Sequence, residues 1–86
     1  MFYEKDGYRL EAIRRFINEN RVINPLVVHS AQGYTFYFDL IEGDNMHTEC
    51  VLITLKTAKP RAFKKATTYT RFLKSLGITK WKLERV

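Results

Sequence analysis

The run Tyr34-Thr-Phe-Tyr-Phe-Asp-Leu-Ile41 alternates in a way that puts Tyr34, Phe36, Phe38 and Leu40 on one side of an extended chain. Thr35, Tyr37, Asp39 and Ile41 fall on the other. Because side chains along a strand point to opposite faces in turn, this is the pattern of a strand with one face on a core. Three aromatic rings and a leucine on one side of a chain of 86 residues need a covering layer, so the run calls for helices packed on that side. The same rings could instead form a stacking platform for bases, as in proteins that read single strands on a sheet surface. A small domain needs them for its core, so they are expected to be buried.

The flanks extend the pattern to a meander. Leu26 to Ser30 reads as a short strand joined to the first by Ala31-Gln32-Gly33. Glu42-Gly43-Asp44-Asn45 is strong turn chemistry, after which the β-rich segment from Thr48 to Lys56 returns antiparallel. On the N-terminal side, Leu10, Ile13, Phe16 and Ile17 recur at helical spacing and predict a helix from about Tyr8 to Asn20, opened by Asp6 or Gly7. Asn24-Pro25 ends that stretch and leads into extended chain. On the C-terminal side, Pro60 suits the first turn of a second helix over residues 61 to 76. Its buried stripe would be Ala62, Ala66, Tyr69, Leu73 and Leu76, with Phe63 and Phe72 beside it. Gly77 follows as a helix-ending glycine. Ile78 to Arg85 alternates again and predicts a final strand. The expected fold is α+β, a single small domain over residues 1 to 86, in the order α-β-β-β-α-β, with a mainly antiparallel sheet packed by helices.

Charge is distributed unevenly along this framework. Residues 1 to 49 carry five Lys or Arg against eight Asp or Glu, whereas residues 50 to 86 carry ten against one. A regional excess of this kind points to a partner rather than to general solubility, and clustered cations suit an acidic polymer because they release counterions from phosphates. On the second helix Lys64, Thr67, Thr68, Arg71, Lys74 and Ser75 share the exposed side, with no acidic residue to pair with the cations. Lys59, Arg61, Lys64 and Lys65 gather near the expected helix start, where the macrodipole and free N–H groups favour a negative group. Arg14, Arg15 and Arg21 could extend the track. If helices cover one side of the sheet only, Tyr37, Lys80 and Lys82 fall on the other face. Solubilising surface charge and an acidic protein partner remain alternative readings of the same residues.

No constellation for catalysis stands out. His47-Thr-Glu-Cys50 is the only grouping with any metal-ligand character, and a structural zinc site needs four ligands. Asp39, Glu42, Asp44 and Glu49 surround one hairpin, where turn chemistry and a solvated tip account for them. The glycines at 7, 33, 43 and 77 are isolated and make no phosphate loop. The single cysteine, Cys50, lies in an apolar run and reads as a buried small side chain in a reducing, cytosolic setting. No apolar window long enough to span a membrane is present, and Met1 to Asp6 lacks the order of a signal peptide, so a cytoplasmic protein without cofactor or metal is expected.

The order helix, three strands, helix, with Lys64-Lys65-Ala66 at the start of the second helix, resembles a double-stranded RNA-binding domain over roughly residues 8 to 77. In that family such lysines grip phosphates across a groove, which implies the role for Lys64 and Lys65. Pro60-Arg-Ala-Phe63, Thr67-Thr68-Tyr69 and the extra terminal strand depart from the family pattern. The ending Pro60-Arg-x-Phe-Lys64 followed by Phe72-Leu-x-x-Leu-Gly-Ile78 is similar to the ends of small accessory proteins encoded on bacterial plasmids and integrative elements. That likeness implies plasmid or mobile-element maintenance, transfer or regulation, and carries no binding residues with it.

The sequence thus leads to a non-catalytic nucleic-acid-binding protein, DNA favoured over RNA, contacting phosphates through Lys59, Arg61, Lys64, Lys65, Arg71 and Lys74. Lys80 and Lys82 are secondary contacts. The alternative is an interaction module, an inhibitor or assembly factor, that binds an acidic protein surface. A terminal strand at a sheet edge can also pair with a second copy of the chain, which would make a homodimer.

Overall fold

The computed structural model describes residues 7–54 and 56–86. Its elements are β1 (Gly7–Tyr8), α1 (Leu10–Asn18), β2 (Val22–Ser30), β3 (Gly33–Glu42), β4 (Asn45–Leu52), β5 (Ala62–Phe63), α2 (Ala66–Ser75) and β6 (Lys82–Arg85). The order α-β-β-β-α-β is present, with two-residue strands added before each helix. The sheet runs β1-β4-β3-β2-β6, and β5 pairs with β3 off this path. β2, β3 and β4 are antiparallel; the outer strands β1 and β6 are parallel to β4 and β2.

β3 has the two faces its alternation predicts. Phe36, Phe38 and Leu40 are buried and belong to one core with Ile13 and Phe16 of α1 and Tyr69 and Leu73 of α2. Tyr34 packs against that core, its ring stacked on Tyr69 at 4.7 Å. Phe16 meets Tyr8 edge-on at 5.1 Å, and Phe72 lies 5.1 Å from Phe63. Both helices therefore cover the same face of the sheet. No helix among the described residues is long and apolar enough to cross a membrane.

The return strand is interrupted. β4 pairs with β3 through Tyr37↔Val51 and Phe38↔Cys50, and β5 continues along the same edge through Thr35↔Ala62 and Tyr34↔Phe63. Between them the chain leaves and comes back: Ile53 bridges Pro60, and Arg61 N–H donates to the Leu52 carbonyl at 2.9 Å. This excursion corrects three expectations. The strand drawn from Thr48 to Lys56 begins earlier, at Asn45, and ends at Leu52, with Leu55 outside the described residues. Pro60 sits in a β-bridge rather than a helix start, and α2 begins only at Ala66. Ala62 and Phe63 happen to fit the helical stripe, but β3 claims them through ladder hydrogen bonds that periodicity cannot reveal.

Other boundaries shift for similar reasons. Gly7 is paired with Val51 in β1, α1 begins after Arg9, and Asp6 lies outside the described residues. β2 starts at Val22 because a bulge absorbs Asn24-Pro25, with Asn24 at φ 52°. A second bulge on β4 leaves Glu49 at φ 57°. Asp39 lies between the two and holds both: its carboxylate accepts the Asn24 side-chain amide at 2.8 Å and the Glu49 backbone N–H at 3.2 Å. Ile78 to Trp81 is not strand, and β6 is the shorter Lys82–Arg85. The end of α2 is as expected: Gly77 takes φ 85°, while its N–H and that of Ile78 reach the carbonyls of Lys74 and Leu73.

Gly33 fixes where β5 joins. Its φ is 124°, and a Cβ there would lie 2.4 Å from the Phe63 carbonyl oxygen. Backbone meets backbone, so no side-chain rotation relieves the contact. Gly33→Ala is expected to destabilise the fold by about 3 kcal/mol, combining left-handed strain with displacement of β5. Chemical denaturation of the two proteins measures the difference.

Candidate nucleic-acid interface

α2 divides its side chains cleanly between core and solvent. Tyr69 and Leu73 are buried, whereas Lys64, Lys65, Thr67, Thr68, Arg71, Lys74 and Ser75 are exposed. Positions 67, 71 and 74 follow one another at four- and three-residue steps, so Thr67, Arg71 and Lys74 line one side of the helix, while Lys64 and Lys65 precede it in non-helical chain. The Ser75 hydroxyl donates to the Phe72 carbonyl at 2.6 Å, which ties it to its own helix. Thr67 and Thr68 have no such hydrogen bond among the described residues.

The helix start is electropositive. Lys65 is the N-cap residue with φ −121° and ψ 142°; no side chain caps this end, and the first turn contains no acidic residue. Lys64 precedes it, its Nζ 3.5 Å from the Gln32 carbonyl, beside the β2–β3 turn. The partial positive charge of the helix end and two lysines thus occupy one corner of the molecule.

α1 continues the surface. Arg14, Ile17 and Asn18 line a shallow hollow together with Ser75 and Leu76, so Arg14 adjoins the C-terminal end of α2. Arg15 lies over the Phe16 ring at 5.6 Å. Arg21, by contrast, is tied down: Nε donates to the Ile41 carbonyl at 2.9 Å, and Nη1 pairs with Glu19 at 2.8 Å.

The remaining cations separate into three places. Lys59 and Arg61 are on the excursion between β4 and β5, not at the helix start; Arg61 stacks over the Phe63 ring at 4.8 Å and shares a hollow with Arg9, Leu10 and Glu11. Lys80 is exposed in the connection after α2. Lys82 pairs in register with Leu26, on the face of the sheet opposite the helices, and lies 3.5 Å from Glu84. No known protein family, curated protein or solved structure matches this chain.

The face opposite the helices has the other sign. Asp39, Glu49 and Glu84 surround a concavity of about 320 Å³ with Leu26, Val28 and Tyr37. Tyr37 is half-buried there, on the same face as Lys82, as the alternation of β3 predicts. The two faces therefore differ in charge: the exposed side of α2 carries cations without carboxylates, whereas on the open sheet Asp39, Glu49 and Glu84 outnumber Lys82. Alternation places Asp39 beside Tyr37 on that face, but spacing cannot bring the three carboxylates together, because they come from three different strands.

The stacking-platform alternative for the aromatic row does not fit these positions. Phe36 and Phe38 are 2% and 1% exposed, and Tyr34 is sandwiched between Tyr69 and His29, the latter at 4.1 Å with the rings 4° from parallel. Cys50 is fully buried, its thiol directed to the His47 carbonyl at 3.5 Å.

His47 and Glu42 are hydrogen-bonded across the β3–β4 hairpin, Nε2 to Oε1 2.6 Å, a contact that is an ion pair when the imidazole is protonated. The hydrogen bond from His47 and its charge, with a smaller contribution from Arg21, hold the Glu42 carboxyl below its ordinary value of 4.5, against a small opposing effect of desolvation. A carboxyl lowered on folding contributes stability above its unfolded pKa and loses it as pH falls through the folded one. The stability difference between the parent protein and Glu42→Gln is therefore expected to shrink as pH drops below 4.5. Urea titrations across the acid range test this, and a difference independent of pH would contradict it.

Proposed function

We propose that this protein binds nucleic acid, DNA in preference to RNA, through phosphate contacts made by the helical face. The observation that carries the reading is the run of unpaired cations along α2: Lys64, Lys65, Arg71 and Lys74 are exposed, and among the described residues none is within salt-bridge distance of a carboxylate. An isolated solvated helix gains from acidic partners four residues away, and α2 has none. An uncapped helix start beside two of these lysines adds backbone donors and a favourable dipole for a phosphate. Arg14 extends the surface onto α1, and Lys59 and Arg61 supply further cations from the β4–β5 excursion.

Contacts of this class set affinity and orientation without reading bases. The binding is accordingly one of backbone recognition, in which sequence preference is weak and salt dependence strong. The likeness of the chain's ending to plasmid-borne accessory proteins favours DNA and a setting in mobile-element maintenance or regulation. Lys82 contributes at most indirectly, since it belongs to the opposite face, while Lys80, exposed in the connection after α2, is a secondary contact.

Four phosphate contacts correspond to a slope of about −3 to −4 in log affinity against log salt for a duplex. Lys64→Glu with Arg71→Glu is expected to flatten that slope by about 2 and to weaken binding at least about tenfold, with the fold intact by circular dichroism. Fluorescence anisotropy on a labelled duplex measures both. An unchanged slope in the double variant would overturn the proposal. Salt-insensitive, nuclease-indifferent co-purification with one acidic protein would favour the interaction-module reading instead.

A further inference from the structure

The last strand of the sheet ends in an open edge whose side chains complement themselves. β6 pairs with β2 through Leu26↔Lys82, Val27↔Leu83, Val28↔Glu84 and His29↔Arg85, and its outer edge has no ladder partner among the described residues. All four residues are exposed, and Leu83, 41% accessible, is one of three large apolar side chains exposed among the described residues, with Val86, 90% accessible, three positions on. Edges of this kind are blunted by a bulge, a proline, a covering element, shortness or charged side chains. β6 has no bulge or proline within Lys82–Arg85. It is short and three of its four side chains are charged, but the charges are of both signs and complement one another when the strand meets a copy of itself.

We infer that β6 pairs antiparallel with β6 of a second copy of this chain, in the register that sets Leu83 opposite itself. That register makes Lys82 of each copy face Glu84 of the other on the sheet side away from the helices. On the helical side Leu83 meets its symmetry mate, and Arg85 comes opposite the Trp81 indole, which is half-buried against the core. Opposite charges and apolar pairs directly across an antiparallel ladder are the units that stabilise it, and an arginine over an aromatic ring adds to them. The Lys82–Glu84 pair, 3.5 Å apart within one chain, then becomes part of a four-charge row. A one-residue slip would set Lys82 opposite Arg85, a like-charge contact, so charge as well as pleat selects the register.

Antiparallel edge pairing has its two-fold axis perpendicular to the sheet. Both helical layers consequently lie on one side of the joined sheet, and the two α2 surfaces become a single broad basic face. The inference stands on the strand edge alone and does not depend on nucleic-acid binding.

The test is sedimentation of the purified protein without nucleic acid. The parent is expected to show a concentration-dependent dimer of twice 10.2 kDa. Lys82→Glu and Glu84→Lys each create two like-charge contacts across the axis and are expected to weaken the dimer at least about tenfold. The double variant Lys82→Glu with Glu84→Lys restores opposite charges and is expected to recover it. Because these side chains are exposed, thermal unfolding should show all variants folded. A parent that stays monomeric up to about 1 mM, or charge reversals that leave the dimer unchanged singly, would overturn the inference. A dimer that fails to recover in the double variant would overturn the register.

Discussion

Burial of the β3 row organises this molecule. Phe36, Phe38 and Leu40 are each no more than 2% exposed, and with Tyr34 they require an apolar cover along the length of the strand. Removing that much apolar surface from water is the largest favourable contribution available to so small a chain. Two short helices supply the cover, and each can do so only by turning its apolar stripe to the sheet. The polar side of each helix must then face solvent in the same direction. The basic surface on α2 and α1 is a consequence: Tyr69 and Leu73 point to the core, so Arg71 and Lys74 point away from it.

A second constraint sets where α2 begins. β3 is long enough for β4 and β5 to share one edge, and the intervening residues loop out rather than extend the ladder. Phe63 is held by β3 on one side and by the Phe72 ring on the other, 5.1 Å away. The helix starts three residues later, beside the β2–β3 turn. Asp39 acts at the centre of the same strand, fixing a bulge on each neighbour through the Asn24 amide and the Glu49 N–H. Bulges strengthen local twist, which suits a sheet covered on one face.

The strongest local patterns were legible in the residues. The alternation of β3, the exposed side of α2 and the Gly77 terminus all follow from spacing and from glycine chemistry. What was not legible depended on partners distant in the chain. Ala62 and Phe63 continue a helical stripe perfectly well, and it is the ladder with Tyr34 and Thr35, with Gly33 making room for the Phe63 carbonyl, that makes them strand. Asn24-Pro25 looks like a strand boundary until Asp39, fifteen residues on, holds a bulge there. Lys59 and Arg61 looked close to a helix start because Pro60 suits that position, yet Ile53 claims Pro60 in a bridge. Lys82, by contrast, lies on the face away from the helices, as expected for a sheet covered on one side only.

Sorting by face sharpens what the charge means. The net of +6 belongs to a molecule with cations on its helical layer and with Asp39, Glu49 and Glu84 on its other surface. Such a separation orients a bound polyanion, because one face attracts it and the other repels it. The most direct measurement is the change in backbone amide shifts on titration with a short DNA duplex. The account predicts perturbations at Lys64 to Ser75 and at Arg14 and Arg15, with Leu26, Tyr37 and Glu84 unmoved. Shifts concentrated around Leu26, Tyr37 and Glu84, or absent from α2, would contradict it.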